Sequence, residues 1–141
     1  MKLLIINGPN LNMLSKRSQE HYGELTLKQL NNQVRRYAKD RGISCQFYQS
    51  SYEGDIINKL EHAKVNGIIL NAGALSHYSY AIRDCIECID IPVVEVHLSD
   101  INAREDFRKV RVFDGVVAQL YSGGKQESYF RAVDYYKELF K

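Results

Sequence analysis

The sequence predicts an α/β fold in which a five-stranded parallel sheet is covered by helices on both faces. Its 141 residues suit one domain, and they contain no linker, repeat or low-complexity segment. Strand-like and helix-like segments alternate along the chain, which is typical of a parallel sheet with helical crossovers. The first strand-like segment, LLIIN at 3–7, is almost entirely apolar, as expected of a strand that is covered on both sides.

A helix, a strand and a second helix are predicted after a long polar loop. TLKQ at 26–29 has the spacing of a capping box, which marks the start of a helix. Apolar residues then recur at helical intervals before Gly42, namely Leu27, Leu30, Val34, Tyr37 and Ala38. ISCQFYQ at 43–49 predicts the second strand. The second helix is marked by Ile56, Ile57, Leu60 and Ala63.

The next segments predict a third strand, a third helix and a fourth strand. GIILNAG at 67–73 is the third strand. The helix ends before Pro92, and its apolar positions are Ala81, Ile82, Cys85, Ile86 and Ile89. PVVEVHL at 92–98 predicts the fourth strand, although this segment carries titratable side chains near its end.

The last elements are a short helix, a fifth strand and a final helix. AREDFRK at 103–109 predicts the short helix, and GVVAQLY at 115–121 predicts the strand. The final helical stripe consists of Tyr129, Val133, Tyr136 and Phe140. We therefore expect residues 1–141 to form a single domain.

Composition excludes several classes of protein. The 19 Lys and Arg residues are nearly balanced by 17 Asp and Glu residues, which argues against a nucleic-acid binder with a concentrated basic face. No apolar run approaches the length of a membrane span, and the N-terminal segment lacks the cleavage site of a signal peptide. Three cysteines, an odd number, fit reduced thiols. We expect a cytoplasmic protein that binds neither nucleic acid nor membranes.

Polar residues are concentrated at the predicted ends of three strands. NGPN at 7–10 ends the first strand, and NAG at 71–73 ends the third. The fourth strand ends in Glu95, His97 and Ser99. Asn and Gly at any one strand end are explained equally well by a turn. Because ligands of parallel α/β sheets bind beyond the carboxyl ends of the strands, the coincidence of three such ends predicts a site there.

Most cofactor-dependent chemistries lack their motif in this sequence. Neither a G-x-x-x-x-G-K-[ST] loop nor a G-x-G-x-x-G motif after the first strand is present, and no G-x-S-x-G elbow presents a nucleophilic serine. CIEC at 85–88 lies past the first turn of a predicted helix, so packing explains it better than redox chemistry. The spacing of His77 and His97 does not require a metal. The sequence therefore predicts acid/base chemistry with neither a metal nor a cofactor.

Two pairs of residues are candidates for that chemistry. Glu95 and His97 are two residues apart and point to the same face of a strand, so the carboxylate can hold the imidazole tautomer and support a general acid. A buried histidine with a structural partner is the alternative. Arg17 and Tyr22 lie in the loop after the first strand, where a positive charge favours the phenolate and allows tyrosine to act as a base. As surface residues, however, Arg and Tyr are common.

Three blocks of the sequence resemble the signature blocks of type II 3-dehydroquinate dehydratases. They are INGPNLNMLSKRSQEHYG at 6–23, NAGALSHYSYAIRD at 71–84 and EVHLSDINAREDFR at 95–108, in family order and at family-like spacing. The resemblance implies a flavodoxin-like fold and a lyase that converts 3-dehydroquinate to 3-dehydroshikimate. That step belongs to the shikimate pathway of aromatic amino acid biosynthesis, or to quinate breakdown. The resemblance also implies a dodecamer of four trimers.

The resemblance implies a role for each matching residue. Tyr22 matches the base that removes a proton next to the ketone, and Arg17 matches the lid arginine that promotes the tyrosinate. Asn10 matches the asparagine that supports the enolate oxygen through a water molecule. His97 matches the acid that protonates the leaving hydroxyl, and Glu95 orients it. The substrate-binding positions are Asn71, Gly73, His77, Asp84, Leu98, Ser99 and Arg108.

Asp84 matches a residue that completes the site of a neighbouring subunit.

The chain departs from the family pattern at Ser15, at Ser18 and Gln19 in the lid, at Asp100, and over 109–128. Two alternatives follow from the sequence. One is a catalytically silent relative that acts as a substrate-binding module. The other is a flavodoxin-like binder of flavin or nucleotide, which the missing phosphate loop disfavours.

Overall fold

The sheet of this protein is entirely parallel. A computed structural model describes residues 1–17, 21 and 24–141. Its five strands have the order β2-β1-β3-β4-β5, and they are β1 Lys2–Asn7, β2 Ser44–Gln49, β3 Gly67–Asn71, β4 Val93–Val96 and β5 Gln119–Tyr121. This order is that of flavodoxin-like folds. The predicted fold class is therefore confirmed.

Four α-helices connect or follow the strands, and they are α1 Leu27–Lys39, α2 Glu53–Glu61, α3 Tyr80–Cys88 and α4 Glu127–Leu139. The predicted capping box of α1 is present, because the Thr26 hydroxyl accepts from the Gln29 N–H and the Gln29 side chain accepts from the Thr26 N–H. Four 3₁₀ segments occupy Leu11–Lys16, Gly73–His77, Ile101–Ala103 and Asp106–Lys109. In the described part of the chain, no helix is both long enough and apolar enough to cross a bilayer.

The sheet separates two apolar layers. On one side, Leu3 and Ile5 of β1 pack with the buried faces of α1 and α4. On the other side, Leu4 and Ile6 pack with the buried faces of α2 and α3. Each such side chain contributes about 1.5–3 kcal/mol when it is fully buried. Alternate residues of β1 thus face two different layers, which is why the strand has no polar face.

Several predicted elements differ from the structure by one or two residues at their ends, and three predictions differ in more than that. β5 begins at Gln119 and not at 115, because Gly115 has a φ of 90° and the N–H groups of Val116 and Val117 bond to the Phe113 carbonyl in a turn. Both valines pack against the α2–α3 layer and take no part in the sheet. The helix predicted over 103–109 is only a 3₁₀ segment, Asp106–Lys109. Phe140 follows the end of α4 and is 46% exposed, so it lies outside the buried stripe.

Candidate active site

The carboxyl ends of β1, β3 and β4 lie side by side at one edge of the sheet. Asn7 at the end of β1 is in register with Asn71 at the end of β3. Leu70 of β3 is in register with Glu95 of β4. Because the three strands are parallel neighbours, the loops that follow them form one rim. The strand ends singled out by the sequence therefore meet.

A small cleft lies at this rim. Most of the candidate residues line it. They are Arg17, Asn71, Gly73, His77, His97, Leu98, Ser99 and Arg108. Leu11, Ala74, Ile101 and Arg104 complete the wall. The cleft is thus lined by imidazole, amide and guanidinium groups from segments far apart in the chain.

Glu95 and His97 form a buried pair at the end of β4. The distance between His97 Nε2 and Glu95 Oε2 is 2.6 Å, and the two residues are 5% and 0% exposed, respectively. Because a carboxylate only accepts, the proton of this hydrogen bond is on Nε2 of His97. Glu95 Oε1 is buried without a hydrogen-bond partner among the described residues. A buried carboxylate with one bare oxygen is costly, so the hydrogen bond to His97 is its main compensation.

His77 lies next to His97, with a distance of 6.1 Å between the ring centroids. Its Nδ1–H donates to the Val110 carbonyl at 2.8 Å, which leaves Nε2 as the nitrogen that can accept. Burial lowers the pKa of His77, and the charges of His97 and Arg108 lower it further against the opposing bond to Val110. His77 is therefore a neutral polar group of the wall and a poor proton donor.

Three arginines give the cleft a positive character. Arg17 lines it from the β1 side, while Arg104 and Arg108 line it from the segment after β4. Arg104 Nη1 donates to the Ser99 hydroxyl at 3.1 Å. The sequence pattern predicts no role for Arg104, although this residue stands in the AREDFR segment. A cluster of guanidinium groups of this kind suits an anionic ligand such as a carboxylate.

Arg108 is held by its own segment. Its Nε donates to Glu105 Oε2 at 2.6 Å, and its guanidinium carbon lies 4.7 Å from the centroid of the Phe107 ring. The hydrogen bond from Arg108 lowers the pKa of the Glu105 carboxyl. The ion pair and the ring together limit the directions in which Arg108 can reach the cleft.

Two glycines allow the loops after β1 and β3 to touch. The Gly8 N–H donates to the Asn71 carbonyl at 2.7 Å, and a Cβ on Gly8 would lie 2.6 Å from the Ala72 oxygen. Gly73 has a φ of 62°, and a Cβ there would lie 2.8 Å from the Pro9 oxygen. Larger residues would force the loops apart, so both positions require glycine.

Some candidate residues are not in this cleft. Asn10 is exposed, adopts a φ of 71° before the 3₁₀ segment Leu11–Lys16, and does not line the wall. Asp84 is exposed on α3 and does not line the wall either. Tyr22, with the lid positions Ser18 and Gln19, lies outside the described residues. Of the other departures from the family pattern, Ser15 is exposed and Asp100 caps Ile101–Ala103 by accepting from the Asn102 N–H.

The cysteines lie apart from the cleft. Cys85 is buried on α3, and burial raises the pKa of its thiol to about 11, which makes it unreactive at neutral pH. This agrees with packing as the role of Cys85 in the CIEC segment. Among residues 1–17, 21 and 24–141, no group of three or more His, Cys, Asp or Glu side chains is placed to hold a metal ion.

Comparison with known proteins gives consistent matches over almost the whole chain. A family model described as "Dehydroquinase class II" matches residues 1–137. The "3-dehydroquinate dehydratase" of Thermotoga neapolitana is 42% identical over 139 residues, which cover 99% of this chain and 96% of that protein. The protein of the same name from Sulfurimonas denitrificans is 50% identical over 111 residues, 77% of this chain and 69% of its own. The crystal structure of type II dehydroquinase from Butyrivibrio crossotus superposes with a TM-score of 0.93 at 41% identity and covers 96% of both chains.

Proposed function

We infer that the cleft is the active site of this enzyme, because the chain belongs to the class II dehydroquinase family. The enzyme is a lyase that removes water from 3-dehydroquinate to give 3-dehydroshikimate, a step of the shikimate pathway. The observation that carries the assignment of the cleft is that His97, which lines it, is hydrogen-bonded to the buried Glu95. The whole chain, 1–141, acts as one domain in this proposal.

The first step removes a proton from the carbon next to the ketone. The Tyr22 phenolate takes this proton, and the electron pair moves into the carbonyl to give an enolate. Arg17 lines the cleft, and in this proposal its guanidinium favours the phenolate and the anionic transition state. Asn10 supports the enolate oxygen through a bridging water, a role compatible with its place outside the wall.

The second step expels the hydroxyl group. The enolate electrons form the new carbon–carbon double bond as the carbon–oxygen bond breaks, and protonated His97 donates its proton to give water. Glu95 stabilises the imidazolium before this transfer and keeps the ring in one orientation. A proton must then pass from Tyr22 back to His97, through solvent, before the next turnover. No electrons are exchanged with a redox partner in either step.

The remaining residues of the wall bind the substrate. Its carboxylate meets the backbone around Leu98 and Ser99, where the carbonyls already accept from Lys125 and Gly123 and thus hold the loop in place. The arginines supply the positive charge that an anionic substrate needs. Asn71, Gly73, His77 and Arg108 contact its hydroxyl groups.

We also propose that the enzyme works in the cytoplasm as a homo-oligomer, a dodecamer of four trimers. Asp84 is exposed on α3 and outside its own cleft, as a residue that completes a neighbouring site should be. Tyr78 and Tyr80, on the same stretch of chain, are 63% and 67% exposed. Exposed aromatic side chains of this size are typical of protein–protein contacts. Sedimentation at assay concentration tests this, and a fully active monomer would contradict it.

A turnover assay tests the proposed active site. Purified protein is mixed with 3-dehydroquinate, and ultraviolet absorbance is followed because only the product has a conjugated enone. We expect absorbance to rise with the wild-type protein and His97→Ala to be slower by about 10²–10⁴-fold. Circular dichroism must show that the variant is folded. Near-normal turnover by folded His97→Ala would mean that another group is the acid.

A further inference from the structure

Tyr129 is a buried side chain of α4 that reaches the edge of the active site. It is 0% exposed, and its hydroxyl lies between the side chains that end β1 and β3. Asn71 Nδ2 donates to the hydroxyl at 2.9 Å, and the hydroxyl donates to Asn7 Oδ1 at 2.5 Å. Tyr129 takes no part in the proposed proton transfers, and its spacing in the sequence is that of an apolar helical stripe.

The direction of each of these hydrogen bonds follows from one backbone group. The Gly73 N–H can only donate, so the Asn71 atom 3.1 Å from it must be the oxygen. The Asn71 nitrogen then faces Tyr129, whose oxygen must accept. The hydroxyl proton is left to point at Asn7, whose nearer atom must be its oxygen. The Asn71 amide therefore has only one orientation that satisfies both of its partners.

Burial keeps Tyr129 in its role as donor and acceptor. The pKa of its hydroxyl is raised by burial, against a smaller opposing effect of the Asn71 hydrogen bond. The hydroxyl consequently stays protonated over the working pH range. Asn7 Nδ2 is buried without a hydrogen-bond partner among the described residues, so the arrangement leaves one polar group unsatisfied.

We propose that Tyr129 is a positioning residue for substrate binding, which fixes the Asn71 amide and thereby the donor and acceptor pattern of the cleft. Asn71 and Gly73 both line the cleft, while Tyr129 does not. Without the hydroxyl, the Asn71 nitrogen loses its partner, and only the hydrogen bond from the Gly73 N–H still orients the amide. The inference rests on the proposed function, because it assumes that the substrate contacts Asn71.

Tyr136 is a matched control on the same helix. It is also 0% exposed, and its hydroxyl contacts the Ile68 and Pro92 carbonyls at 2.6 and 2.7 Å. These contacts lie near the starts of β3 and β4, at the opposite edge of the sheet from the cleft. Tyr136→Phe thus removes one buried, hydrogen-bonded hydroxyl from α4, as Tyr129→Phe does, without touching Asn71.

The experiment compares the steady-state kinetics of the two variants with 3-dehydroquinate. We expect Tyr129→Phe to raise KM by about threefold to tenfold, the range for one lost hydrogen bond, with a smaller change in kcat. Tyr136→Phe should leave both constants unchanged. In an Asn71→Ala background, Tyr129→Phe should have no further effect on KM, because its partner is already missing.

Several outcomes would overturn the inference. Equal kinetics for Tyr129→Phe and Tyr136→Phe, or additive effects of Tyr129→Phe and Asn71→Ala, would reduce Tyr129 to a packing role while leaving the proposed function intact. If Tyr129→Phe does not fold, Asn7→Ala removes the other hydrogen-bond partner of the Tyr129 hydroxyl. An unchanged KM of that variant would refute the inference. A wild-type protein without turnover would instead refute the proposed function, and this inference with it.

Discussion

Replacing Glu95 with glutamine tests the acid half of the active site with a minimal change of shape. The substitution exchanges one oxygen for an NH₂ group and removes the negative charge that lies 2.6 Å from His97 Nε2. Glu95 is 0% exposed, so no solvent replaces that charge. Protonated His97 then loses its counterion, and this is the form of the ring that must donate a proton to the leaving hydroxyl.

The expected magnitude follows from the type of bond that is lost. A hydrogen bond between charged groups contributes about 1.5–3 kcal/mol, which corresponds to a roughly tenfold to 150-fold lower rate if it acts in the transition state. The loss should appear mainly in kcat, because the carboxylate contacts His97 and does not line the cleft. The Glu95→Gln enzyme should therefore bind substrate nearly normally and turn over slowly.

The assay is the ultraviolet turnover measurement at saturating and limiting 3-dehydroquinate. Asp134→Asn is the matched control, because its carboxylate is also paired with a cation, Arg41, at 2.8 Å, and neither residue lines the cleft. We expect the control to keep the wild-type kcat. If folded Glu95→Gln also kept it, His97 would not depend on its carboxylate partner, and the assigned acid would be wrong.

Three further predictions concern the base, the pH dependence of stability and the loop contact. Arg17→Ala should lower kcat by orders of magnitude with a smaller change in KM. If steady-state kinetics instead showed a raised KM with kcat preserved, Arg17 would be a residue that only binds the substrate carboxylate. The pKa of His77 is lowered in the folded state, so the unfolded state binds more protons and stability falls as the pH drops below about 6.5 toward the lower folded value. In urea unfolding, the free energy of unfolding should fall less over that pH window for His77→Gln than for the wild type. An identical fall would exclude His77 as a source of the pH dependence. Gly73→Ala should destabilise by about 1–3 kcal/mol, because of its φ of 62° and the 2.8 Å approach to the Pro9 oxygen. Gly54→Ala, whose Cβ would meet nothing within 4 Å, should be neutral or stabilising in the same denaturation experiment, and equal losses would rule out the steric reason.

Local patterns in the sequence were sufficient for most of the secondary structure. The capping box at Thr26 and Gln29 predicted the start of α1 because it depends on residues three positions apart. The unbroken apolar run of β1 predicted a strand between two layers, since both of its faces are buried. The fifth strand was predicted too long, because Val116 and Val117 suit a turn packed on α2 and α3 as well as they suit a strand.

The sequence also indicated which strand ends carry polar groups, and the pairing of Glu95 with His97 followed from the two-residue period of a strand. It did not assign a role to Arg104, because the contact of that arginine with Ser99 depends on the path of the loop after β4. Nothing in the local pattern distinguishes this arginine from a solvated one.

Tyr129 shows most clearly what only the tertiary structure decided. In the sequence it is one of several aromatic residues at helical spacing, and such residues ordinarily pack in a core. Its hydroxyl meets Asn71 and Asn7, which are 58 and 122 residues away along the chain. Periodicity reports which face of an element is buried, whereas the partner of a buried hydroxyl depends on how distant elements pack. The sequence therefore determined the sheet, the helices and the polar strand ends, and the packing of α4 on the sheet decided how the Asn71 amide is held.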